Sequence, residues 1–252
     1  MFGIFDSGVG GLSVVALLKK RFAEAGFIYL GDTDHFPYGE KSKESIQDYA
    51  YKNTCFLLNQ GATIIIIACH TASALAADYL RKKFKGIPIY DVISPTIKEV
   101  SRLNLNRIGI IGTRATIQSG IYEKKINSCV IISQSCPLLV SLIEEGWVDR
   151  PETYSILKHY LLPLKKQKIE GLVLSCTHYS LIKKQIKKIL GSKIKIIDPA
   201  EILFDNLNFD SGRLIEEKNK KKEFWVTNSP LRFQKLSKIF LGKEIVARKH
   251  KT

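Results

Sequence analysis

Two cysteines, Cys69 and Cys176, each close a run of apolar, strand-forming residues and open a stretch of small polar ones. Ile64-Ile65-Ile66-Ile67-Ala68 leads into Cys69, and Gly171-Leu172-Val173-Leu174-Ser175 leads into Cys176. A thiol placed where a strand ends and a helix begins meets unpaired N–H groups and the positive end of the helix dipole, which favours the thiolate near neutral pH. Two such thiols facing each other across a cleft could remove a proton from one side of a carbon and return one to the other, inverting a stereocentre. Cysteine is more often a buried structural residue, and Cys55 and Cys129 are read that way.

The same residues allow a second chemistry, because Cys69-His70 and Cys176-Thr177-His178 supply soft metal ligands. Zinc sites favour C-x2-C or H-x3-H spacings, and neighbouring residues at a strand end diverge, so proton transfer is the preferred reading. A third feature is the loop Asp6-Ser7-Gly8-Val9-Gly10-Gly11, which follows the first strand run. Its glycines let backbone N–H groups approach an anion, yet it has neither the G-x-G-x-x-G spacing of a dinucleotide site nor a P-loop lysine. Asp6 suits an amino group or a neighbouring thiol, although any tight strand-to-helix turn favours Gly, Asp and Ser.

The elements that must position these groups are short β-branched runs alternating with amphipathic stretches. The runs are Gly3 to Phe5, Phe27 to Leu30, Ile64 to Ile67, Ile87 to Val92, Ile108 to Ile111, Val130 to Ile132, Leu172 to Leu174 and Ile194 to Ile197. Helical periodicity follows the third run (Leu75, Leu80, Phe84) and the seventh (Leu181, Ile182, Ile186, Ile189). The alternation predicts an α/β fold with mostly parallel sheets, and ligands at the carboxyl ends of the strands.

Three landmarks recur at an offset of 107 residues: Asp6 and Thr113, Cys69 and Cys176, Asp91 and Asp198. The repeat predicts two similar Rossmann-like lobes related by a pseudo-twofold axis, with the two cysteines facing each other across the cleft. Residues 1–93 plus 207–252 are expected to form the first lobe and 94–206 the second. Ser94-Pro95 would open the connecting helix, and Glu223 to Val226 with Leu231 to Leu241 would return to the first lobe.

Composition bounds the function classes. The 252 residues carry 39 Lys and Arg against 24 Asp and Glu, a net charge of +15, but the lysines are spread along the chain without one dominant block. Solvated helix faces account for most of them, so nucleic acid is not an expected partner. No stretch reaches the roughly 20 apolar residues a membrane span needs, and the chain opens on a strand-like segment, so a cytoplasmic protein without a membrane partner is expected. Five cysteines without close spacing are read as thiols and not as disulfides.

Taken in order, Gly3-Ile4-Phe5-Asp6-Ser7-Gly8-Val9-Gly10-Gly11, Gly31-Asp32 with Pro37-Tyr38-Gly39, Ala68-Cys69-His70-Thr71-Ala72-Ser73, Gly112-Thr113-Arg114-Ala115-Thr116 and Cys176-Thr177-His178 resemble the bacterial glutamate racemases. The resemblance spans the chain and includes Phe224 to Gly242. It implies a two-lobed enzyme that interconverts L- and D-glutamate for peptidoglycan with neither pyridoxal phosphate nor metal, most often as a homodimer. By that resemblance Cys69 serves the D-glutamate side with Asp6 beside it, and Cys176 serves the L-glutamate side with His178 and Glu144. Substrate contacts carried over in the same way are Asp6, Ser7, Tyr38, Gly39, His70, Thr71, Thr113, Thr116, Thr177 and His178.

One position departs from the family pattern: His70 stands where the family normally has Asn. A neutral imidazole offers one donor and one acceptor in place of an amide's two donors and carbonyl, and it is bulkier. Two alternatives stay open on the sequence: a racemase of another small acid such as aspartate, one methylene shorter, and a non-catalytic relative with a basic binding surface.

Overall fold

The computed structural model describes residues 1–206 and 221–250. Residues 207–220, where the predicted return to the first lobe begins, lie outside the described residues, as do 251 and 252. In chain order the strands are β1 (Phe2–Asp6), β2 (Phe27–Gly31), β3 (Ile64–Ile67), β4 (Ile89–Asp91), β5 (Arg107–Gly112), β6 (Val130–Ser135), β7 (Gly171–Ser175), β8 (Lys195–Ile197), β9 (Lys222–Val226) and β10 (Arg248–Lys249). The helices are α1 (Leu12–Arg21), α2 (Lys43–Asn59), α3 (His70–Lys83), α4 (Ile93–Arg102), α5 (Arg114–Gln118), α6 (Ile121–Lys125), α7 (Leu139–Glu144), α8 (Pro151–Lys166), α9 (Lys183–Leu190), α10 (Pro199–Asn206) and α11 (Pro230–Leu241).

The strands form two sheets, ordered β10-β9-β2-β1-β3-β4 and β6-β5-β7-β8. Every pairing within them is parallel. Parallel strands covered on both faces read as unbroken apolar runs, which is why Ile64 to Ile67 and Leu172 to Leu174 stand out in the sequence. Helices α2 and α3 cover one face of the first sheet, with Ile46, Leu57, Ala76 and Leu80 packed on Phe5, Ile65 and Ile67. A second core joins the two sheets, taking Ile4, Phe27 and Tyr29 from one, Ile108, Ile110 and Val173 from the other, and residues of α1, α4, α10 and α11 between them. Each large side chain removed from water contributes about 1.5–3 kcal/mol, so this shared layer holds the two sheets firmly in register around the site.

The order β2-β1-β3-β4 in one sheet is repeated as β6-β5-β7-β8 in the other, the two-lobed winding that the internal repeat predicts. The offset is 107 for the cysteine and second aspartate landmarks but not for the first. Phe2 pairs with Ile64 and Ile108 with Gly171, so β3 maps onto β7 at 107 while β1 maps onto β5 at 106. Asp6 therefore corresponds to Gly112, and Thr113 lies one residue beyond.

Asp91 and Asp198 are equivalent in role. The Asp91 carboxylate accepts from the N–H groups of Ile93 and Ser94 at 2.8 and 2.7 Å, and Asp198 accepts from Ala200 N–H at 3.1 Å. Each caps the helix that follows, α4 or α10, satisfying N–H groups that the helix itself leaves free. Strand β9 pairs with β2 from Lys222↔Phe27 to Val226↔Gly31, and β10, which periodicity did not reveal, adds two residues at the sheet edge. No helix among the described residues is long and apolar enough to cross a membrane.

Candidate active site

Cys69 follows β3 and caps the 14-residue helix α3, buried with its Sγ 3.7 Å from Ser7 Oγ. Cys176 follows β7, but what it opens is a six-residue 3-10 turn over Thr177–Ile182, and α9 begins only at Lys183. The single helix expected after the seventh strand is thus divided. The turn is tied down by Tyr179, whose hydroxyl donates to Cys136 O at 2.9 Å, and by Ser180, whose hydroxyl donates to Asp198 at 2.8 Å. The two thiols, equivalent in the repeat, consequently receive different support.

At Cys176 that support is a chain of side chains. His178 Nδ1 lies 3.8 Å from Cys176 Sγ, and His178 Nε2 lies 3.0 Å from Glu144 Oε1 at the end of α7. Arg232 of α11 reaches the other oxygen of Glu144 at 3.6 Å. Burial works against the His178 cation, but the hydrogen bonds and charges of Cys176 and Glu144 outweigh it and raise the imidazole to about 10. His178 is therefore held as a cation beside the Cys176 sulfur.

At Cys69 the balance runs the other way. Burial, and then the charge of Asp6, push its thiol up to about 12, against the opposing N–H groups of Ala72 and Ser7. The expectation that a helix N-terminus would favour the thiolate here is overturned, because the helix end supplies less than burial and a neighbouring carboxylate remove. Asp6, at the end of β1, is buried too. Burial raises its carboxyl, and the His178 charge and the N–H groups of Gly8 and Gly11 pull it back. One of its oxygens accepts from Gly8 N–H at 3.0 Å, and the other makes no close hydrogen bond among the described residues.

A cavity of about 330 Å³ brings most of the predicted site residues together: Ser7, Tyr38, Gly39, Cys69, His70, Thr71, Thr113, Cys176, Thr177 and His178 all line it. Thr116 stands behind Thr113, and the hydroxyls of Thr71, Thr113 and Thr116 form a closed triangle with sides of 3.0, 3.1 and 2.9 Å. Thr71 comes from α3 and the other two from the start of α5, so the triangle joins the two halves of the repeat. Asp6 and Glu144 sit behind the wall, the first near Cys69 and the second against His178.

Two predicted residues differ from expectation in detail. Tyr38 lines the cavity, but its hydroxyl donates to Asp32 at 2.5 Å and accepts from Asn53 Nδ2 at 3.1 Å. The hydroxyl is thus committed to the protein interior. His70 is buried with neither ring nitrogen hydrogen-bonded among the described residues, and burial lowers its pKa to about 4 against the nearby charges of Asp198 and Asp91, so it is neutral at pH 7. Phe36, Pro37, Val140 and Ser175 also line the cavity and were not singled out from the sequence. Of these, Pro37 stood in the family motif with Tyr38 and Gly39, and Ser175 is the repeat partner of Ala68.

Two thiols from equivalent strand ends, opening on one cavity with separate acid–base partners, make an arrangement able to exchange protons on two sides of a bound carbon. No group of three or more His, Cys, Asp or Glu among the described residues is placed to hold a metal ion. The family model described as Asp/Glu/Hydantoin racemase matches residues 13–207, and the chain belongs to that family. Within it, the glutamate racemase of Aquifex pyrophilus is 40% identical, the match covering 96% of this chain and 94% of the relative, and that of Syntrophus aciditrophicus is 39% identical over 96% and 93%. A crystal structure of the Francisella tularensis glutamate racemase in complex with D-glutamate superposes with a TM-score of 0.90 at 37% identity, covering 99% of this chain and 97% of that one.

Proposed function

We propose that the chain interconverts L- and D-glutamate without a cofactor, Cys176 and Cys69 acting as opposed base and acid. The observation that carries the reading is that both thiols line one cavity, each backed by its own proton partner. The form ready for L-glutamate has a thiol at Cys69 and a thiolate at Cys176 beside the His178 imidazolium. The α-proton of L-glutamate passes to Cys176 Sγ, the Cys69 S–H proton is delivered to the opposite face, and D-glutamate results with the thiol and thiolate exchanged. Asp6 beside Cys69, and His178 with Glu144 beside Cys176, reset these states between turnovers. The reverse reaction starts from the exchanged form.

Ser7, Tyr38, Gly39, His70, Thr71, Thr113, Thr116 and Thr177 are read as the cradle that fixes the two carboxylates and the amino group while the α-carbon sits between the sulfurs. In this reading the lobes are residues 1–93 with 207–252 and residues 94–206. The enzyme works in the cytoplasm as a homodimer and supplies D-glutamate for peptidoglycan. Loss of optical rotation tests it: either glutamate enantiomer should decay to the racemate, and aspartate should react far more slowly. Faster turnover of aspartate, or no turnover of glutamate by folded protein, would overturn the assignment.

A further inference from the structure

The buried carboxylate of Asp32 has no part in the proton transfers, yet it receives more hydrogen bonds from side chains than any group of the thiol pair. His35 Nδ1 lies 2.8 and 3.0 Å from its two oxygens, the Tyr38 hydroxyl donates to one at 2.5 Å, and the Thr227 hydroxyl donates to the other at 3.0 Å. Its own N–H donates to Asp6 O at 2.9 Å, so the group stands on the strand end next to the Asp6 loop. Thr227 in turn accepts from Asp34 N–H at 2.9 Å, and the His35 ring stacks on Tyr49 with centroids 3.8 Å apart. Three donors converge on two oxygens, which only a group without donors of its own can accept together. An amide in that place would set N–H against O–H.

The segment held this way carries Phe36, Pro37, Tyr38 and Gly39, all of which line the thiol cavity. Its far end is seated on the other half of the repeat, where a Cβ added at Gly39 would meet Thr113 Cβ at 2.7 Å. Because the Tyr38 hydroxyl is spent on Asp32 and Asn53, the segment can offer a ligand only its backbone and ring edges.

We propose that Asp32 is a positioning residue of the racemase site, its carboxylate holding the Phe36–Gly39 segment in place as one wall of the thiol cavity. The inference rests on the glutamate racemase reading. Asp32→Asn should raise KM for both glutamate enantiomers about tenfold and leave kcat within about twofold, the pattern of lost ground-state positioning. Tyr38→Phe and Thr227→Val, each removing one donor, should raise KM by a smaller factor. Tyr38→Phe should add nothing in the Asp32→Asn background, because both changes cut the same bond.

A merely structural Asp32 would lower thermal stability and the active fraction while leaving KM unchanged, and that result overturns the proposal. Additive effects of Tyr38→Phe and Asp32→Asn would also overturn it, since they would place the hydroxyl on the substrate. If Asp32→Asn does not fold, the two single-donor variants decide: unchanged KM in both contradicts the role. Wild-type enzyme that fails to racemise glutamate overturns the underlying function instead, before any variant is compared.

Discussion

At the scale of single residues, the site is governed by the cost of burying charge. Asp6 has a folded pKa above its ordinary value of 3.8, so as pH rises past that value the fold must carry a buried carboxylate that the unfolded chain solvates freely. Asp6→Asn removes that cost and keeps an acceptor for Gly8 N–H. It should stabilise the protein at pH 7 by about 1 kcal/mol while lowering kcat, as chemical unfolding and initial rates would show; a destabilised variant would contradict this electrostatic account. His70 is the opposite case, its folded value of about 4 lying below the ordinary 6.5. The stability tied to its neutral form is fully present above about pH 6.5 and is lost as pH falls toward 4. His70→Asn should remove part of that acid-side loss, measured as unfolding free energy between pH 7 and pH 4.5; parallel declines in variant and wild type would refute it. The cysteines, Asp6 and Thr113 were legible in the sequence because they sit at the ends of recognisable strands, whereas Thr71, Thr116 and Thr177 came only from the family resemblance. The direction of the Cys69 shift was not, since burial depends on what the rest of the chain packs against the thiol.

At the scale of elements, the β-branched runs disclosed the strands because parallel strands buried on both faces cannot alternate polar and apolar residues. What stayed hidden was local: the 3-10 turn after Cys176, the one-residue difference in offset between β1/β5 and β3/β7, and the edge strand β10. A six-residue turn and a two-residue strand are too short to leave a period, and a register shift is set by pairing partners. The His178–Glu144 pair spans 34 residues and came only from the family resemblance, because no local pattern links an α7 carboxylate to the turn after β7. The loop between β1 and α1 gives an element-scale prediction. A Cβ at Gly10 would run into Thr177 Oγ1 and lie 2.5 Å from both His178 Cε1 and Nδ1, so this loop must touch the turn that carries Cys176's partner. Gly10→Ala should displace His178 from Cys176 and lower kcat/KM about a hundredfold. A loss below about twofold would mean that the loop and the turn have slack.

At the scale of the whole molecule, the duplicated winding explains why two similar half-sites can act as opposites. The repeat places a thiol at each of two equivalent strand ends, and the surroundings then make the halves unequal: buried Asp6 beside Cys69, the His178 cation beside Cys176. Enantiomers have equal free energy, so kcat/KM must be the same in both directions for wild type and for every variant, and asymmetry can be seen only in the separate proton transfers. The decisive measurement is therefore deuterium incorporation at the α-carbon in D2O, starting from each glutamate enantiomer, with wild type, Cys69→Ser and Cys176→Ser. In wild type, deuterium should enter the inverted product from either side. Racemisation should fall about 10²–10⁴-fold in each variant. Residual exchange without inversion should persist only on L-glutamate in Cys69→Ser and only on D-glutamate in Cys176→Ser. Racemisation near the wild-type rate in either variant, or residual exchange on the opposite enantiomers, would contradict the two-thiol assignment.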